Sequence, residues 1–212
     1  MKRLLALAVV LLAAGMVWAQ SRPAPGSEYQ LISPPQQVSG SKIEVVEFFN
    51  YACPHCYEFE PLLKTWLATK PPDVDFRYVP AVFNQNMLPL AKLYYTLEEM
   101  ELLSRLHDKV YAAIHDKGIN LVDRATLVKW VGEQGVDTKR FAAVFDSFSV
   151  ANKAQRAAQM TRAFRVPGTP YVAVNGKYLT GPSMTLNPKG GVDANRFMQV
   201  LNGLIDMERR KS

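Results

Sequence analysis

The sequence predicts an α/β domain interrupted by a helical insertion, and three observations carry that expectation. An apolar run from Ile43 to Phe49 is followed by a helical pattern from Pro54 and then by alternation at Val74, Phe76 and Tyr78, the signature of a right-handed β-α-β unit. Between Asn84 and about Phe164 no strand-like alternation occurs, and helical stretches follow one another. Strand signals return only at Tyr171-Val172-Ala173-Val174, so the sheet-forming halves lie on either side of a helical block.

From the N-terminus, Lys2 and Arg3 precede an apolar run, Leu4 to Val17, that ends in Val17-Trp18-Ala19. A charged start, an apolar centre and small residues before a cleavage point describe a secretory signal peptide over residues 1–19. The run falls short of the ~20 residues of a membrane-spanning helix, with an uncleaved anchor as the alternative. The mature chain is therefore expected where disulfides persist, in the bacterial periplasm or outside a cell. Losing Lys2 and Arg3 lowers the formal charge from +6 to +4. The remaining basic residues are scattered among acids, which gives no nucleic-acid footprint.

Glu28 to Ile32 reads as a short first strand, and Ser33-Pro34-Pro35 as a linker unable to continue a sheet. Ile43 to Phe49 is mostly apolar on both faces, as in a central strand covered by helices. Beyond Pro54, Tyr57, Phe59, Leu62, Leu63, Trp66 and Leu67 keep helical spacing until about Lys70, where Pro71-Pro72 ends the pattern. The insertion shows helices around Leu88 to Met100, Leu102 to His115, Arg124 to Gln134 and Asp137 to Phe164, with Tyr94, Tyr95, Met100 and Tyr111 read as core. Asn175-Gly176 predicts a two-residue hairpin turn into Lys177-Tyr178-Leu179. A last helix aligns Phe197, Val200, Leu201, Leu204 and Ile205, with Asp193 near its start and Arg209, Arg210 and Lys211 at its end. The expected division is 20–83 and 165–212 for the two parts of the sheet domain and 84–164 for the insertion.

Cys53 and Cys56 are the only cysteines, and Cys53-Pro54-His55-Cys56 stands where strand gives way to helix. That placement predicts a thioredoxin-like fold with a helical domain inserted into it, and a redox-active pair. A thiolate is the attacking species, and a cysteine at a helix N-terminus faces unpaired N–H groups and the positive end of the dipole. Cys53 is thus the attacking or attacked sulfur and Cys56, one turn on and more covered, the resolving one. Pro54 suits the first helical position, and His55 offers a donor or positive charge near the Cys53 sulfur. A stabilised thiolate makes the disulfide oxidising. A purely structural disulfide closes too short a loop to constrain the unfolded chain much. A zinc site would need two more ligands, and His107 and His115, the other histidines, read as surface residues of the insertion.

Together with Glu47-Phe48-Phe49 before the pair and Tyr57 after it, Val166-Pro167-Gly168-Thr169-Pro170 and Val174-Asn175-Gly176-Lys177-Tyr178 resemble the DsbA family of periplasmic thiol oxidases. The resemblance covers nearly all of the mature chain. It implies a cis proline at Pro170 facing the cysteines, beside which an extended substrate pairs with the backbone, and a role for Thr169 in tuning the pair, against an ordinary loop hydroxyl. It makes Glu47 the buried acid beneath the cysteines, relaying protons to Cys56 with Arg77 as counter-charge; the alternative is an edge-facing glutamate paired with any nearby base. It also makes Pro61 the proline that kinks the first helix.

The expected activity is an enzyme's: a thiol:disulfide oxidoreductase that passes its Cys53–Cys56 disulfide to reduced exported proteins and carries no bound cofactor or metal. The resemblance implies unfolded client proteins as partners, and a DsbB-like quinone-linked inner-membrane oxidase that reoxidises the pair. A reductase or isomerase of the same fold is the second hypothesis; Pro54-His55 argues against it, and no spare segment remains to form a dimerisation domain, so a monomer is expected. The third is a non-catalytic peptide-binding chaperone module, which would survive loss of the cysteines.

Overall fold

The computed structural model describes residues 22–211; the signal peptide expected over 1–19 lies outside them. Five strands form one sheet: β1 (Gln30–Leu31), β2 (Ile43–Phe49), β3 (Val74–Pro80), β4 (Tyr171–Val174) and β5 (Tyr178–Thr180), in the order β1-β5-β4-β2-β3. Only β2 and β3 run parallel, joined through helix α1 (Pro54–Thr69); the other pairs are antiparallel. All seven residues of β2 are buried, as a mostly apolar central strand covered on both faces requires, and its two glutamates, Glu44 and Glu47, are buried with the rest. The β4–β5 turn forms at Asn175-Gly176, both with positive φ (49° and 64°), the geometry a type I′ hairpin demands. Glycine is required at 176 twice over, because a Cβ there would lie 2.1 Å from the Gln36 carbonyl oxygen.

Helix α7 (Ala194–Arg209) begins where the Asp193 side chain accepts from Arg196 N, and its whole predicted stripe is buried. Phe197, Val200 and Leu204 pack with Phe59, Leu63 and Trp66 of α1 over Val45, Val172 and Val174 on one face of the sheet. Each such fully buried side chain contributes about 1.5–3 kcal/mol. Val46, Phe48, Val79 and Ala173 face the other way, against Ala157, Phe164 and Val166.

The insertion comprises α2 (Leu88–Glu99), α3 (Leu103–His115), α4 (Arg124–Glu133), α5 (Thr138–Phe145) and α6 (Phe148–Ala163). The stretch from Asp137 to Phe164, expected as one helix, is two. The helical ladder breaks at Asp146-Ser147, where Ser147 Oγ accepts from Val150 N and starts α6; apolar spacing carries on across the break and hides it. Tyr94 and Tyr111 are buried, with Tyr95 and Met100 packed against them. The core of the insertion also includes Phe49, Tyr51 and Cys56, so it reaches the cysteine pair.

Candidate active site

Beyond Phe49 the turn Asn50-Tyr51-Ala52 delivers Cys53 to the N-cap of α1, with Pro54 as the first helical residue. Within that turn Cys53 N donates to Asn50 O at 3.0 Å and Ala52 N to Asn50 Oδ1 at 2.8 Å. Cys53 is half-buried and Cys56 fully buried, and both are free thiols. The Asn50 N–H points at Cys56 Sγ, 3.5 Å away.

The two sulfurs sit in opposite electrostatic settings. The Cys56 thiol, then the Thr169 side chain and the backbone N–H groups of Cys56 and His55, draw the Cys53 pKa down to about 5 against the cost of partial burial. Burial pushes the Cys56 thiol far upward, and the neighbouring Cys53 and Glu47 add to the rise. The His55 ring turns outward to Glu58, its Nδ1 3.3 Å from Oε2, so His55 reaches Cys53 through its backbone N–H. As a thiol, Cys53 donates to the Thr169 carbonyl at 3.3 Å, and the Thr169–Pro170 bond is cis. Thr169 and Pro170 join His55, Phe59, Leu62 and Leu186 in a groove of about 470 Å³ alongside the pair.

Glu47 lies on β2 with neither carboxylate oxygen hydrogen-bonded, and burial raises its pKa well above the ordinary carboxylate range, with Glu60 and Cys53 adding to the rise. Arg77 is not its counter-charge. In the β2–β3 register Arg77 stands beside Val46, on the sheet face of Glu44, and Glu47 beside Tyr78 on the opposite face. Strand alternation therefore gives Arg77 to Glu44, Nε to Oε2 at 2.9 Å, and leaves Glu47 with none.

The comparisons with known proteins agree with this geometry. Residues 44–186 match the family described as DSBA-like thioredoxin domain. The chain belongs to the DsbA family. It is 42% identical over 206 residues to the thiol:disulfide interchange protein DsbA of Bordetella parapertussis, covering 96% of each chain. To the protein of that name from Burkholderia cepacia it is 35% identical, over 88% of this chain and 90% of the other. The crystal structure of Pseudomonas aeruginosa DsbA is similar with a TM-score of 0.80 at 33% identity, over 89% of this chain and 95% of that one. For the oxidoreductase DsbA from Xylella fastidiosa the TM-score is 0.79 at 32% identity, with 89% and 98% covered. This DsbA-family chain is thus a protein thiol:disulfide oxidoreductase with a thioredoxin fold and a helical insertion.

Several residues around the pair escaped the sequence reading. Glu60 follows Cys56 by one turn of α1 and is buried; its Oε1 accepts from the Tyr78 hydroxyl at 3.0 Å. His107 and His115, expected at the surface, are turned inward. His107 is buried with Nδ1 2.7 Å from the Tyr51 hydroxyl, and His115 Nε2 lies 2.8 Å from the Tyr51 carbonyl oxygen. Their spacing through Tyr111, four and eight residues along α3, was the available signal. Among the described residues, the buried side-chain polar atoms without a hydrogen bond are the Glu47 oxygens, Glu60 Oε2, His107 Nε2 and the Tyr111 hydroxyl. His107 and Tyr111 pack against Phe49, Glu60 lies one turn beyond Cys56 with its Oε1 3.6 Å from His107 Nε2, and Glu47 stands two positions before Phe49.

Proposed function

We propose that the disulfide form of Cys53–Cys56 is the oxidant, and that it is passed to pairs of cysteines in reduced proteins newly exported to the periplasm. The carrying observation is the split between the sulfurs: Cys53 half-exposed with its pKa at about 5, Cys56 buried with its thiol pushed far upward. A client thiolate attacks Cys53 Sγ, the Cys53–Cys56 bond breaks, and Cys56 leaves with the electron pair and takes up a proton. A second client thiolate then attacks the mixed disulfide on the client's side, and Cys53 leaves as a thiolate. Two electrons pass from the client to the pair.

In this reading Pro54 starts the helix whose terminus stabilises that thiolate, and His55 supplies a backbone donor. Glu47, its carboxyl pKa raised by burial, relays the proton that Cys56 takes up. Thr169 borders the Cys53 sulfur, and the backbone before Pro170 pairs with an extended client segment in the adjoining groove. Reoxidation falls to a DsbB-like quinone-linked inner-membrane oxidase, and the protein works as a monomer. Residues 1–19 are taken as a signal peptide, 84–164 as the inserted domain, and 20–83 with 165–212 as the two parts of the thioredoxin-like domain. Export is supported by Lys2, Arg3 and the apolar run behind them. Among the described residues no helix is long and apolar enough to cross a membrane. The test is Cys53→Ser in an assay that follows oxidation of a reduced client: oxidation should cease, and oxidation that persists at the parent rate would overturn the reading.

A further inference from the structure

Two of the chain's three histidines converge on one residue. His107 meets the Tyr51 side chain and His115 its backbone, both from the same face of α3. Tyr51 carries no chemistry of its own, but the peptide unit it begins, Tyr51–Ala52, lies one residue short of Cys53. That unit is planar, with the Tyr51 carbonyl on one side and the Ala52 N–H on the other. The carbonyl can only accept, so His115 Nε2 must carry the proton and donate at 2.8 Å. The Ala52 N–H donates to Asn50 Oδ1 at 2.8 Å. One rigid plane, the last but one before Cys53, is therefore pinned at both ends, and one pin comes from the helical insertion.

His115 is itself held in place. Its ring stacks on Tyr57, with centroids 5.0 Å apart and planes 7° from parallel, and the Tyr57 hydroxyl donates to the Asp116 carboxylate at 2.9 and 3.0 Å. Tyr57 directly follows Cys56 in α1. The end of α3 thus grips the cysteine motif on both flanks: Tyr51 before it and Tyr57 after it.

We propose that His115 is a positioning residue for disulfide exchange, orienting the Tyr51–Ala52 peptide so that Cys53 presents its sulfur to the N–H groups that stabilise the thiolate. The role rests on Cys53 being the reactive sulfur, as in the function proposed above. Without the donor the carbonyl is left part-buried and unsatisfied, and the plane turns toward another partner, shifting Ala52 and loosening the turn in which Cys53 N donates to Asn50 O. The insertion then does more than cover the pair: it sets how acidic Cys53 is.

The test compares His115→Phe, which keeps a stacking ring but cannot donate, with His115→Gln, whose amide nitrogen reaches the same place as Nε2 and can. Thiolate absorbance across pH gives the Cys53 titration, and equilibration with glutathione buffers gives the redox constant. The Phe variant is expected to titrate about half a pKa unit higher and to lose about threefold in oxidising strength, with the Gln variant within about twofold of the parent. A Phe variant indistinguishable from the parent, or a Gln variant shifted as far as Phe, would overturn the role. A measurement on the unmodified protein covers the case in which Phe prevents folding: nitrogen-15 histidine spectra should show Nε2 of His115 protonated at pH 7, and an unprotonated Nε2 overturns the proposal. Alkylation of the parent at pH 6 separates the two levels. Modification of Cys56 in place of Cys53 refutes the functional reading itself, whereas modification of Cys53 beside an unshifted Phe variant refutes only the role of His115.

Discussion

Acidification should remove the extra stability that the folded reduced protein draws from its thiolate. The Cys53 pKa is about 5 in the folded reduced form, against about 8.5 for a thiol in an unfolded chain. Between those values the unfolded reduced chain holds one proton more than the native one, so stability rises with pH across the window and falls as pH drops toward 5. At pH 7 the two forms are about two pH units into that window, which at about 1.4 kcal/mol per unit gives about 2.7 kcal/mol. The sulfur is only half-buried, and solvent screening brings this to about 1–1.5 kcal/mol. The oxidised form has no thiol to titrate, and the constraint its disulfide places on the unfolded chain does not change with pH. Urea unfolding of both redox forms at closely spaced pH values from 4 to 8 measures the difference directly. The stability of the reduced form relative to the oxidised should fall by about 1 kcal/mol or more between pH 7.5 and pH 4. A difference that stays constant, or moves the other way, refutes the argument that the helix terminus and its neighbours stabilise a Cys53 thiolate.

Glu47→Leu removes a buried carboxyl that finds no partner, and because its folded pKa is raised the group costs stability at neutral pH; the variant should unfold about 1–3 kcal/mol later in urea while oxidising clients more slowly, and a less stable variant would count against the reading. Arg77→Ala strips the partner from buried Glu44 and should cost about 1–3 kcal/mol in the same assay. Its glutathione equilibrium should stay within about twofold of the parent, since Arg77 lies across the sheet from Glu47; a larger shift would return Arg77 to the site. Phe197→Ala empties a fully buried site between α7 and α1 and should lower stability by about 3–5 kcal/mol, seen as an earlier thermal midpoint in both redox forms.

What the sequence made legible was local. The Ile43–Phe49 strand, the Pro54 helix start, the Asn175-Gly176 turn and the α7 stripe each follow from residues within one or two turns of one another, so pattern alone places them. The same holds for the cysteine pair, whose spacing and position between strand and helix announce its chemistry. Reading failed where two elements decide together. Glu47 and Glu44 look alike along β2, and only the register against β3 sends Arg77 to Glu44. His107 and His115 are polar residues on an amphipathic helix, which reads as surface until the turn at Tyr51 is brought against that face. The break between α5 and α6 was hidden for a related reason: Phe141, Phe145, Val150 and Ala154 all serve buried faces, although they belong to different helices.

The most direct test of the central claim, that a stabilised Cys53 thiolate makes the Cys53–Cys56 disulfide an oxidant, is the redox potential of the protein equilibrated in glutathione buffers at pH 7. A potential more positive than about −180 mV is predicted, so that the pair stays largely reduced until oxidised glutathione strongly predominates. A value below that, toward the about −270 mV of thioredoxin, would contradict it and make the same fold a reductase.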